Sequence, residues 1–217
     1  MCYIIGLTGA SGSGKGEAAK ILAGFGATII DADKISHEIF NGSHGKPKNG
    51  ADGGEALAEL AEAFGAWVVG GDGKLDRAAV AARAFSDRGF LGRLTEITHK
   101  YIIKEIYARV AALQSNKKNE IIVIDAPIPV EKGFLDLADA VWVVKASREN
   151  RLARIFARDG LSETAANARF SSQMADAEYE RLADVIIEND SDVEELRRKI
   201  TRILEKKYDN MQSGKEI

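Results

Sequence analysis

Short apolar runs alternate with stretches of helical periodicity from one end of the chain to the other. Residues 3–7 are apolar throughout and give way at once to a glycine-rich loop. A run with no polar face suits the middle of a parallel sheet covered on both sides. Further strands are expected at 27–30, ending at Asp31, at 121–124, ending at Asp125, and at 140–144 and 185–187. Helices are expected at 15–25, 33–40 and 55–64, and over 77–114 with a break near Arg88-Gly89. Others follow at 148–158, from Ser162 after a break at Asp159-Gly160, and at 192–207. Residues 67–69 read as a short extended piece before the turn Gly70-Gly71-Asp72-Gly73, while 41–54 and 115–119 read as loops and the tail from Asp209 as frayed. Strands interleaved with helices in this way imply an α/β fold with a parallel five-stranded sheet.

Composition narrows the class. With 217 residues, 45% hydrophobic and 29% charged, the chain reads as one soluble domain able to bury its own core. A net charge of −3 supplies no general attraction to nucleic acid or to an anionic membrane. No apolar run reaches the length of a span, and the opening run is too short for a signal segment, so the expected location is the cytoplasm. Cys2 is the single cysteine and excludes an internal disulfide.

The chemistry concentrates at strand ends. Gly9-Ala10-Ser11-Gly12-Ser13-Gly14-Lys15 lies between a core strand and a helix, the context that a phosphate-binding P-loop requires. Its glycines let backbone N–H groups converge on phosphate oxygens, the helix N-terminus adds partial positive charge, and Lys15 reaches the terminal phosphates. The expected ligand is a nucleoside triphosphate, ATP, with Mg²⁺. Gly16 and Glu17 stand where a metal-binding hydroxyl is usual. Glu17 reads either as a ligand for metal-bound water or as a solvent-facing acid favoured by the helix dipole.

Asp31 and Asp33 follow the second strand, and in open α/β sheets ligands bind beyond strand carboxyl ends. Asp33 is the candidate base for an acceptor hydroxyl, Asp31 is assigned near the metal, and one of the two can cap the next helix. Asp125 stands where a Walker B acid would bind metal water. Arg148, Arg151, Arg154 and Arg158, at spacings of three, three and four, share a helical face, with Arg169 beyond the break. Such a stripe suits a lid over ATP, with Arg154 and Arg158 neutralising transition-state charge.

Taken in order, these pieces resemble the dephospho-coenzyme A kinase family over nearly the whole chain. The resemblance rests on Ile5-Gly6-Leu7-Thr8-Gly9 running into Gly12-Ser13-Gly14-Lys15, and on Ile30-Asp31-Ala32-Asp33. Phe64-Gly65 and Asp72-Gly73-Lys74-Leu75-Asp76-Arg77, with Phe85, extend it, as does Leu94 to His99. Asp125-Ala126-Pro127 with Glu131, and Ala183 to Asp190, complete it.

The resemblance implies a three-layer P-loop fold in a single domain, with a helical acceptor-binding region at about 41–116 and an Arg-rich lid at about 147–175. It implies ATP-dependent phosphorylation of the ribose 3′-hydroxyl of dephospho-CoA, a small-molecule acceptor. Gly9, Ser11, Gly12, Ser13, Gly14, Lys15, Gly16, Glu17 and Asn189 are the candidate nucleotide-binding residues, with Lys15 the phosphate binder by the same match. By the match Asp33 is the base and Arg77 and His99 lie towards the acceptor; Glu131 is a further acceptor candidate, and Asp31 and Asp125, from their places at strand ends, are the candidates to hold the metal through water. Gly16-Glu17 replaces the family's Ser-Thr, Lys100 its proline after His99, and Pro129 interrupts its Pro-Leu-Leu stretch. These departures leave two alternatives: a kinase for another nucleoside or nucleotide, or a nucleotide-binding regulator with weak catalysis. A GTPase is disfavoured because Asn116-Lys117-Lys118-Asn119 lacks the closing Asp of the guanine-reading motif.

Overall fold

The structure, a computed structural model, describes residues 2–40, 53–115, 121–126, 136–160, 162–171 and 173–213, with side chains through residue 207 except that of residue 53. The loop expected over 41–52, the turn over 116–119, Pro127, Pro129 and Glu131 lie outside the described residues. The chain divides into two compact units, residues 1–29 with 119–217, and residues 30–118.

Five strands, β1 (Tyr3–Thr8), β2 (Thr28–Asp31), β3 (Ile121–Asp125), β4 (Ala140–Lys145) and β5 (Val185–Glu188), form one sheet in the order β2-β3-β1-β4-β5. β1 pairs in parallel with β3 and β4, and β4 with β5. All six residues of β1 are buried, as its unbroken apolar run requires of a central strand.

Side chains alternate between the two faces. Ile5, Leu7, Val123, Trp142 and Val144 pack with Leu22 of helix α1 (Lys15–Gly24) and with Leu196, Ile200 and Leu204 of helix α9 (Val193–Ser213). On the opposite face Val141 and Val143 pack with Tyr179 of helix α8 (Asp176–Leu182). Helices therefore cover both faces, giving three layers. Two aspartates just ahead of β4 and β5 cap the sheet's first amides: Ile4 N–H donates to Asp139 Oδ2 (2.7 Å) and Val141 N–H to Asp184 Oδ2 (2.7 Å).

Between β4 and α8 run α6 (Arg148–Asp159) and α7 (Glu163–Ser171). The helix expected from Ser162 is thus two helices. The second starts afresh because Glu178 Oε2 accepts the Ala175 N–H at 3.0 Å, a cap that interrupts continuous helix. α9 runs past residue 207 into the tail expected to fray.

The second unit is helical: α2 (Ala32–Phe40), α3 (Gly53–Phe64), α4 (Arg77–Ser86) and α5 (Arg88–Ser115). Residues 67–69 do not form the extended piece expected. Ala66–Val68 is a 3-10 turn, closed by Val68 N–H to Gly65 O (3.3 Å) and by the Trp67 indole N–H to Phe64 O (2.7 Å). Val69 alone is extended, bridging Leu75. The break in the long helix falls at Asp87, one residue early, because its carboxylate caps α5 by accepting Phe90 N–H at 3.0 Å. Glu105, buried in α5, accepts from Arg109 Nε (2.8 Å), and Arg109 also reaches Glu38 of α2 (2.5 Å).

Because Ile200 is fully buried against the sheet, Ile200→Ala is expected to cost about 2–5 kcal/mol in urea unfolding. A loss well under about 1 kcal/mol would mean that α9 is not part of the core.

Candidate active site

The loop from Thr8 to Lys15 leaves the carboxyl end of the central strand, with β3 on one side and β4 on the other. Its glycines, Gly12 and Gly14 among them, are required by space as well as by conformation. Gly12 has φ 80°, and a Cβ there would come within 2.6 Å of the Arg151 carbonyl oxygen. Gly14, the residue before α1, has φ 94°, and a Cβ would overlap the Asn189 amide nitrogen.

The loop carbonyls are held from outside. Arg151 Nε donates to Ser11 O (3.1 Å), and Arg154 donates to Gly12 O (3.3 Å) and Ser13 O (3.2 Å). Asn189 Nδ2 also donates to Ser13 O (2.7 Å), and its own carbonyl receives Arg154 (2.8 Å). In a trans peptide the C=O and the following N–H point in opposite directions. Holding these carbonyls on one side therefore turns the amides of Gly12 and Gly14 to the other, where an anion can be met. Gln173 Oε1 accepts the Ser11 N–H at 3.0 Å.

Lys15 at the start of α1 pairs with Asp125 at the end of β3. The register aligns Leu7 with Asp125, so the buried carboxylate sits beside the mouth of the loop. Thr8 Oγ1 and Ser13 Oγ are buried and have no hydrogen-bond partner among the described residues. No group of three or more His, Cys, Asp or Glu side chains that could hold a metal occurs among them. Asp125, a carboxylate beside the mouth of the loop, has the chemistry that would hold a hydrated divalent cation. A side chain at Gly16 would meet nothing within 4 Å, and Glu17 accepts from Lys20 (2.9 Å) along the surface of α1.

The arginine stripe divides in the structure. Arg148 and Arg158 are exposed, Arg154 is half-buried on the loop carbonyls, and Arg151 is buried. Arg158 pairs with Asp159 (2.6 Å), which also takes Arg169 (2.6 Å). Hydrogen bonds from Arg158 and then Arg169 hold the Asp159 carboxyl far below the usual carboxylate range.

In the helical unit Asp31 Oδ1 accepts Lys34 N–H (3.0 Å) and so caps α2, while Asp33 stands exposed in its first turn. Arg77 opens α4 and is exposed; His99 is half-buried in α5. Lys100, in place of the proline, pairs with Glu59 of α3 (2.7 Å), and the Tyr101 hydroxyl donates to the same oxygen (2.5 Å). Those two bonds, Lys100's first, pull the Glu59 carboxyl below its ordinary value. Burial, then the bond to Glu59, pushes the Tyr101 hydroxyl up to about 12. A hollow of about 670 Å³ in this unit is lined by Phe64, Trp67, Arg83, Asp87, Phe90 and Arg93, with the two phenylalanine rings 4.3 Å apart. Of the two tryptophans, Trp142 is core and Trp67 borders this hollow.

Arg151, Gln173 and Asp176 were not legible as support for the loop. A polar residue after a helix carries no signal of what it reaches 162 positions away.

Residues 3–195 match the family described as CoaE, dephospho-CoA kinase. The chain belongs to the dephospho-CoA kinase family. It is 37% identical over 203 residues to a dephospho-CoA kinase of Carboxydothermus hydrogenoformans, covering 94% of this chain and 93% of that one. A Thermus thermophilus protein of known structure is 29% identical, with a TM-score of 0.73 over 94% of this chain and 97% of its own. A dephospho-CoA kinase from Campylobacter jejuni shares the fold, with a TM-score of 0.65 at 24% identity and 99% coverage of both chains. In this kinase-family member Lys100 makes a salt link between α3 and α5.

That link has a titration signature. Tyr101 should stay protonated near pH 11 in ultraviolet titration, and Glu59→Gln should bring its ionisation back towards the ordinary tyrosine value of about 10. The folded hydroxyl ionises later than the unfolded one. Its contribution to stability is therefore complete below about pH 10 and is lost as pH rises through about 12. An unchanged titration in the variant would show that Glu59 plays no part.

Proposed function

We propose that the chain transfers the γ-phosphoryl group of ATP to the ribose 3′-hydroxyl of dephospho-CoA, forming CoA and ADP. The observation that carries this reading is the loop geometry: carbonyls clamped outward, amides of Gly12 and Gly14 turned inward, and Lys15 beside Asp125, in a chain of this family. Gly9, Ser11, Gly12, Ser13, Gly14 and Gly16 form the cradle for the ATP phosphates. Lys15 exchanges its link to Asp125 for the β and γ phosphates, and the freed carboxylate is the anchor for metal-bound water. Mg²⁺, when bound, neutralises charge on the phosphate oxygens; Asp31 is assigned to the same hydration shell.

Asp33 takes the proton of the acceptor hydroxyl as the new O–P bond forms. The bond between the γ phosphorus and the β–γ bridging oxygen breaks, and ADP leaves with those electrons. Exposed Arg158 is assigned to the developing charge, whereas Arg154 and Asn189 serve ATP through the loop they hold. Glu17, paired with Lys20, takes the outer role at the start of α1. Arg77, His99 and Glu131 are assigned to the acceptor. The hollow of the helical unit offers apolar rings with Arg83 and Arg93 at hand, matching a substrate with both an apolar arm and phosphates. We place the reaction in the cytoplasm.

ADP release by purified protein is expected to depend on dephospho-CoA, with CoA appearing by mass in equal amount. Lys15→Ala should abolish useful turnover. Asp33→Asn should lower kcat by about 10²–10⁴-fold with little change in ATP binding. Near-native turnover in Asp33→Asn would remove it as the base, and ATP binding without CoA would point to another acceptor or to a regulator.

A further inference from the structure

Among the four stripe arginines of α6, Arg151 differs in kind. It is only 6% exposed, and a buried guanidinium persists only where its charge and donors are met. Three groups meet it. Its Nε donates to the Ser11 carbonyl at 3.1 Å, and one terminal nitrogen donates to Asp176 Oδ1 at 2.8 Å. The plane lies over the Phe170 ring, 4.5 Å from its centroid. Its own backbone carbonyl is the atom against which Gly12 is packed.

These partners come from different elements: Ser11 and Gly12 from the anion-binding loop, Phe170 from α7, Asp176 from the first turn of α8. We propose that Arg151 is a positioning residue that locks the loop to helices α7 and α8 in one arrangement, so that phosphate binding depends on contacts that never touch the nucleotide. The inference rests on the reading that ATP binds at this loop. If α7 and α8 move as a pair, Arg151 must either give up both Asp176 and Phe170 or carry the Ser11 carbonyl with it. Moving that carbonyl reorients the Gly12 amide, because the two share a rigid peptide plane. A lysine cannot replace this side chain, since a single ammonium on a flexible stem does not bridge a carbonyl and a carboxylate while covering a ring.

The test is equilibrium titration with ATP, run beside steady-state kinetics and thermal melting on the full chain. Arg151→Met keeps most of the stem and removes the charge. It should raise the Kd for ATP about tenfold, the weight of one charge-assisted hydrogen bond, while the KM for dephospho-CoA at saturating ATP stays unchanged. Arg151→Lys should recover only part of that loss. Asp176→Asn, at a half-exposed side chain, should raise the ATP Kd about threefold, as expected for one partly exposed ion pair. Ile200→Ala serves as the stability control, lowering the melting temperature with ATP Kd unchanged.

Arg151→Met and Asp176→Asn binding ATP as the wild type does, whatever their melting temperatures, would overturn the proposal. If Arg151→Met fails to fold, Asp176→Asn decides alone. A wild type that binds ATP but makes no CoA sinks the acceptor assignment and leaves this inference to the ATP titration. A wild type that binds no ATP overturns both.

Discussion

The rest of the structure depends on where three peptide carbonyls point. Ser11, Gly12 and Ser13 each have the carbonyl engaged by a side chain from a distant element, Arg151 and Arg154 from α6 and Asn189 from just beyond β5. The rigidity of the peptide plane converts that restraint into an anion site, because an amide held back-to-back with a fixed carbonyl has no other direction to take. A loop of glycines alone would have the freedom to adopt this shape and no reason to keep it. The order of the sheet supplies the reason. With β1 central and β4 and then β5 on one side of it, α6 and Asn189 are brought against the outer side of the loop, and β3 brings Asp125 to its mouth.

Charge is buried at few points in the described residues, and each time it fastens one element to another. Arg151 with Asp176 ties α6 to α8, Lys15 with Asp125 ties α1 to β3, and Glu105 with Arg109 and Glu38 ties α5 to α2. Stability alone does not explain such pairs, since apolar residues of similar size often serve it as well. They fix position, which is what a site built from separate helices and strands needs. The trio of exposed Arg158 and Asp159 with half-buried Arg169 is different, lying at the surface where water screens it.

The family departures also have local accounts. Lys100, a departure from the pattern the resemblance implies, reaches Glu59, and Tyr101 joins the same carboxylate. Gly16 faces open space, so its missing side chain distorts nothing in the loop. Glu17 turns to Lys20 on the outside of α1.

What could be read in advance was what local chemistry dictates. An unbroken apolar run made β1 a central strand, glycines at positive φ before a helix made the phosphate loop, and strand-terminal Asp31 and Asp125 marked the carboxyl edge of the sheet. Local signals placed the 3-10 turn at Trp67 wrongly and missed the split between α7 and α8, because a capping carboxylate or an indole hydrogen bond decides these and neither alters hydrophobic periodicity. The stripe of four arginines was legible as one helical face, but their separate fates were not. Whether a guanidinium meets water, a carbonyl or a carboxylate depends on residues up to 142 positions away, and only the folded chain brings those together.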